Sequence, residues 1–260
     1  AAAPDLAVPL QLAPGKRYSS TQGAHTRLMQ NLGFDGAIVR TASVGSWVSG
    51  EYRWVLADEW LPAGITDATT DGDTEKACAA LAASYLRAFG PATAADLQWW
   101  AGWSATTTRR ALAAVDAVEV LFDDAVGDAA AGWLLPDDLE PVDPPDPWAT
   151  LLPSLDPTVM GWKERGWYAG EHGRLGHTVF DRNGNAGNSI MADGALVGTW
   201  AHRPDGSVAV RYLTKVDRSR RSMVDASIER YLATVDGTVV RPRYPAPLQR
   251  ELLAEAQPPS

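Results

Sequence analysis

The chain of 260 residues is 45% hydrophobic and 21% charged, carries a net charge of −9 and has one cysteine, Cys78; it can bury one large core or two to three small ones and cannot form an intrachain disulfide. No apolar run approaches the roughly 18–20 residues that span a bilayer, and residues 1–15 lack a basic start and are interrupted by Pro4, Asp5, Pro9 and Pro14, which excludes a membrane helix and a signal peptide and predicts a cytoplasmic, reducing location. Residues 1–150 hold 9 basic and 20 acidic residues, net −11, whereas residues 151–250 hold 14 basic and 10 acidic, net +4, so of the two parts the second is the better candidate for a polyanion face, while charge alone favours the plainer reading of a solvated surface with ordinary charge scatter.

In chain order, Thr26, Leu28, Met29, Leu32 and Phe34 predict a first helix, with Ser19, Ser20 and Thr21 as its cap. The residues before it show no start of an element and there is no initiator Met, which leaves open whether the N-terminus has been cut away. Strands over 37–39 and 52–56 flank a Gly/Ser turn over 43–50. Helix, strand, long turn and strand are the ending of a winged helix, so residues 1–62 read as a partial one. After a composition break at 62–74 comes a helix over 74–89 with Cys78, Leu81, Ala82, Tyr85, Leu86 and Phe89 on one face. Gly90-Pro91 stops it. Thr93 then caps a short helix that Gly102 ends, and a third helix covers 104–115. Strands over 118–122 and 132–135 complete a winged helix at 74–136. The acidic loop between them, 123–128, suits a protein partner better than a phosphate.

Residues 136–147, PDDLEPVDPPDP, contain five prolines and no basic residue and predict an extended connector. Beyond it, β runs over 178–181, 189–192, 195–200 and 207–213 are separated by Asn183-Gly184, Asp193-Gly194 and Asp205-Gly206, the dipeptides of tight turns. A helix over 222–234, striped by Val224, Ile228, Tyr231 and Val235, follows in this third domain, 148–245. The fold class is therefore α+β: tandem winged-helix units, then a small antiparallel β-barrel-like domain with a C-terminal helix.

No metal or cofactor is expected. His25, His172, His177 and His202 lack HxH or HExxH spacing, and Walker, GxGxxG and GxSxG motifs are absent. Trp54, Trp99, Trp100, Trp133 and Trp200 fall in amphipathic elements and are expected as core fillers rather than base-stacking platforms. Arg109 and Arg110 open the third helix of the middle unit, at the surface.

The most informative segments are Leu151 to Gly170, LLPSLDPTVMGWKERGWYAG, then FDRNGNAG ending at Gly187 and ADGALVGTW ending at Trp200. With Ala88-Phe-Gly-Pro-Ala-Thr93, Asp96 and Trp100, these resemble the winged-helix DNA-binding family that contains the AlkZ and YcaQ DNA glycosylases, over residues 27–245. The resemblance implies patterns LLPxxDPxxMGWxxR, DxxGNxxP and DGxxVGxW, winged helices and a barrel-like domain gripping double-stranded DNA, and excision of alkylated or crosslinked purines. It also implies a catalytic Gln-x-Gln or Gln-x-Asp. The glutamines stand at 11, 22, 30, 98, 249 and 257, so neither motif is present and no catalytic residue is assigned; either the chain is a piece of a longer protein or this member works without the motif. Without it the domains should bind and not cut.

For DNA contact the candidates are Arg182, Asn183, Asn185 and Asn188 in the turn RNGNAGN, with Lys163 and Arg165 beside Trp162. Arg182 suits a minor groove, and the asparagines suit base edges or phosphates; equally, Asn and Gly are what a turn with positive φ requires. Asn188 stands where the resemblance implies Pro. Lys163 and Arg165 could meet phosphates or pair with Asp156 and Glu164, and the structural role is preferred.

Overall fold

The computed structural model describes residues 4–16, 19–45, 51–62, 73–122, 131–173, 178–242 and 244–255, in two compact units, Ala1–Ala68 and Thr69–Ser260. The first unit opens with a 3-10 turn, Pro4–Ala7, and a strand β1, Pro9–Leu12, that pairs antiparallel with β2, Ser20–Gly23. Helix α1, Ala24–Phe34, follows with Gly23 at its N-cap and no side-chain cap bond. Two expectations are thereby corrected. The first residues do start an element, and Ser20 and Thr21 lie in a strand instead of capping a helix, because Leu12 and Gln11 supply them with ladder partners. Strands β3, Ile38–Val44, and β4, Glu51–Leu56, form a hairpin, and a single turn α2, Ala57–Trp60, ends the unit. Of the expected turn over 43–50, residues 46–50 lie outside the described residues.

The second unit begins with α3, Thr74–Phe89, whose N-cap Asp73 accepts from the backbone N–H groups of Glu75 and Lys76, satisfying donors that a helix start leaves orphaned. Next, α4, Ala94–Ala101, is closed by reciprocal Thr93 and Asp96 bonds and ended by a left-handed Gly102; α5, Ala105–Ala114, starts at the Ser104 cap. Strands β5, Val118–Leu121, and β6, Ala131–Leu134, pair antiparallel. The helices and hairpin share a core of Tyr85, Leu86, Leu97, Ala111, Leu112 and Leu135. The element order is the one the sequence predicts; the acidic loop at 123–128 lies outside the described residues.

Residues 136–148 run without helix or strand. They lead into β7, Ala149–Leu152, β8, Ser189–Ala192, β9, Ala195–His202, and β10, Val208–Tyr212, an antiparallel sheet ordered β10-β9-β8-β7. This sheet is open, not a closed barrel: β7 and β10 are its edges, and four short strands are too few to curl round to one another. Helix α8, Arg218–Val235, packs Val224 onto Ala149, Ile190, Val197 and Trp200, while α9, Pro247–Ala254, packs Leu252 onto Ala201 and Ala209.

One further expectation changes here. The run 178–181 is no strand but a single bridge between Phe180 and Ala186, because Val179 and Phe180 are buried against Val159, Tyr168 and Met191, not laddered. The stretch before it folds into two single turns, α6, Pro157–Met160, and α7, Gly166–Ala169. Among the described residues no helix is long and apolar enough to cross a membrane, and no group of three or more His, Cys, Asp or Glu could hold a metal ion.

Candidate nucleic-acid interface

The motif DPTVMGWKER is first of all a joint. Asp156 caps α6 through Thr158 N. Gly161 lies flat on Phe89, where a Cβ would stand 2.4 Å from the ring. Tyr85 Oη donates to Gly161 O at 2.9 Å, and Trp162 Nε1 donates to Phe89 O at 3.0 Å. Burial, then the neighbouring Asp96, pushes the Tyr85 hydroxyl well above its ordinary pKa, so it stays a donor.

The pivot of the joint is Asp96, 2% exposed. One of its oxygens accepts from Thr93 N and Oγ1, the other from Lys163 N at 2.8 Å and Glu164 N at 2.9 Å. One carboxylate thus caps α4 and holds the next lobe's backbone in place. Lys163 emerges exposed and pairs with Glu164 at 3.6 Å.

Arg165 is buried and takes no carboxylate partner among the described residues, so the pairing expected with Asp156 or Glu164 is not formed. Its Nη2 donates to Gly184 O at 2.9 Å, and its guanidinium lies 4.2 Å from the Phe180 ring centre and 5.6 Å from that of Trp99. Among the described residues Nε and Nη1 have no hydrogen-bond acceptor, and ring faces meet the cation instead. Burial lowers the guanidinium's pKa, with Tyr168 and Asp181 acting the other way.

Arg165 thereby fixes the turn that follows. Asp181 Oδ1 accepts from the backbone N–H groups of Asn183 and Asn185, and Oδ2 accepts from Asn185 Nδ2. Partial burial acts to raise the Asp181 pKa, but the bonds from Asn185, Asn183 and Gly184 outweigh it and hold the carboxyl below its ordinary value. With the backbone held from within by Asp181 and from behind by Arg165, Arg182, Asn183 and Asn185 are left exposed. Asn188 is not with them. It is buried, and its Oδ1 accepts from Ser154 Oγ at 2.8 Å; a polar side chain has replaced the implied proline by finding a partner inside.

Two recesses flank the turn. One, about 500 Å³, is lined by Trp99, Lys163, Glu164, Arg165, Asn183 and the backbone of Gly184. The other, about 670 Å³, is lined by Asp181, Arg182, Asn183, Asn185, Tyr244, Pro247 and Arg250. The six residues singled out from sequence therefore converge on one turn, with Asn183 shared by both recesses, Asn188 beneath and Arg165 behind. Tyr244 and Arg250 were missed, although RPRYPAPLQR at 241–250 carries three arginines and no acid.

The tryptophans divide. Trp200 is core, its Nε1 donating to Leu152 O, and Trp54 and Trp133 are half-buried. Trp99 and Trp100 are 40% exposed, more open than core fillers should be. On α5, Arg109 and Arg110 are exposed as expected; Arg110 pairs with Glu75 at 3.5 Å and Arg109 Nε donates to its own helix at Ala105 O.

A family model described as DNA glycosylase AlkZ-like matches residues 1–234. The structure of Streptomyces sahachiroi DNA glycosylase AlkZ is similar in fold, with a TM-score of 0.55 and 18% identity over 83% of this chain and 56% of that one. The chain thus spans little more than half the length of that solved chain. No curated protein matches it.

Proposed function

The chain belongs to the AlkZ-like DNA glycosylase family, and from that premise we propose that it grips double-stranded DNA through the turn at 182–185 and serves in the excision of alkylated or crosslinked purines. In this reading α1 to β4 and α3 to β6 act as winged helices, residues 1–62 and 74–136, and residues 148–245 form the third, β-rich domain. Lys163, Arg182, Asn183 and Asn185 meet the DNA. Arg165 and Asn188 support them from inside.

The observation that carries the proposal is the bonding of the turn: Arg182 and two amides stand exposed on a backbone held by bonds to Asp181 and Arg165. Preorganised donors lose little entropy on meeting phosphates or base edges. Scission of a cationic N7-alkylpurine needs only a polar group to place water and steady an oxocarbenium-like sugar, since the leaving group is already activated. The Gln-x-Gln or Gln-x-Asp that the resemblance implies for that task is absent from these residues, so the 260 residues should bind without cutting.

The test pairs binding with base release. Affinity for intact and alkylated duplexes should fall linearly in log–log form with salt, and release from an N7-alkylguanine duplex should stay at the spontaneous rate. Absence of any salt-dependent binding would remove the proposal; release well above the spontaneous rate would show another residue at work. A DNA-binding protein with no part in excision would bind intact and alkylated duplexes alike, even when joined to a catalytic unit.

A further inference from the structure

The 670 Å³ cleft takes one wall from the turn at 181–185 and the other from residues beyond the matched family segment. That second wall is firmly built. Gly187 passes so close to the start of α9 that a Cβ would stand 2.5 Å from Ala246 Cβ and 2.6 Å from Gln249 Oε1. Leu248 N donates to Thr178 O at 3.3 Å, and Arg203 Nε donates to Leu252 O at 3.1 Å. Glu251 of α9 and Glu255 just beyond it are drawn to the sheet side, where both pair with Arg211.

What α9 and the segment before it present to the cleft is basic and aromatic. Arg250 is exposed, with its Nε donating to Pro245 O at 3.0 Å, and Tyr244 is 76% exposed. Neither Arg182 nor Arg250 has a carboxylate partner among the described residues. Asp181, the one acid lining the cleft among the described residues, spends both oxygens on its own turn. The volume lies within the roughly 300–1,000 Å³ that ligand clefts occupy.

We infer that the segment 244–250 and the turn 181–185 together form a nucleotide-binding cleft, in which Arg182 and Arg250 hold backbone phosphates and the Tyr244 ring stacks on an unpaired base. The occupant is an unstacked nucleotide within or beside a duplex: an aromatic face has a stacking partner only where a base has left the helix, and the exposed amides of Asn183 and Asn185 suit the base edges uncovered there. The inference rests on the DNA-binding reading and deepens it by naming the structure recognised.

The test uses the full 260-residue chain, with fluorescence anisotropy against an intact duplex and the same duplex carrying one bulged nucleotide, over a salt series. The unsubstituted chain should prefer the bulged probe. Tyr244→Ala should cut affinity for that probe by about fivefold or more while leaving the intact duplex nearly unchanged, and Tyr244→Phe should restore the preference. Arg250→Ala should weaken both and lower the salt slope by about one unit. Tight binding of both probes without discrimination, or a preference that survives Tyr244→Ala, overturns the cleft and leaves DNA binding standing. Failure to bind either probe overturns both.

Discussion

The two lobes of the second unit, residues 74–135 and 149–254, both carry arginines at the surface and use them differently. On α5, Arg110 leans on Glu75, and Arg109 folds back on its own helix. On the second lobe, Arg182 and Arg250 line one cleft, and among the described residues neither has a carboxylate partner, although Arg250 Nε, like that of Arg109, donates to backbone of its own segment at Pro245 O. Equal exposure thus hides unequal availability: a guanidinium paired to a carboxylate, as Arg110 is to Glu75, must give up its partner before it meets a phosphate, and one that lines a cleft without such a partner need not. The lobes are nevertheless one body, because Asp96 and Trp162 bond across the joint.

The largest expected effect breaks that joint. Asp96→Ala strands the N–H groups of Thr93, Lys163 and Glu164 in a buried site, and about 3 kcal/mol or more of stability should be lost in urea unfolding. A loss under about 1 kcal/mol would mean that packing alone joins the lobes. Next, Arg165→Met removes the bond to Gly184 and keeps much of the side chain's volume. The fold should lose about 1–3 kcal/mol, and DNA affinity should fall although Arg165 itself is buried; unchanged affinity would show that the turn holds its shape without it.

Smaller is the expected effect of Arg182→Ala, which should weaken duplex binding about fivefold to tenfold and reduce the salt slope by about one unit, with Arg109→Ala doing less. An equal or larger loss from Arg109→Ala would put DNA on the first lobe and reverse the comparison. The smallest effect is on pH. Burial holds the His202 pKa below its ordinary value, against the opposing Gly206 backbone and Asp205, so the folded ring stays neutral where the unfolded one takes up a proton. Stability is therefore full above about pH 6.5 and declines as pH falls below it towards the folded value. His202→Gln should flatten that part of the profile.

The helices at 74–115 could be read from sequence nearly to the residue, because their stops are chemical and local: Gly90, the Thr93 and Ser104 caps, and Gly102. The same logic misplaced Ser20 and Thr21, which are good caps only when no strand claims them. It also passed over α9, although Pro247 at its first turn and Leu248 with Leu252 at helical spacing were a usable signal. Within the site, the motif around Arg165 and the turn at 182–185 were legible as important, but their division of labour was not.

The sequence by itself determined where the chain turns, where the helices at 74–115 start and stop, and that basic residues gather after 150; turns and helix ends follow from neighbours within a few positions. Tertiary structure alone decided that Asn188 points inward to Ser154, that Arg165 lies between Phe180 and Trp99, and that Tyr244 stands opposite Arg182. Those facts depend on which buried group finds a partner and which surfaces are brought together across some sixty residues of chain. A polar side chain goes where its hydrogen bonds are satisfied, and local spacing carries no record of where that is.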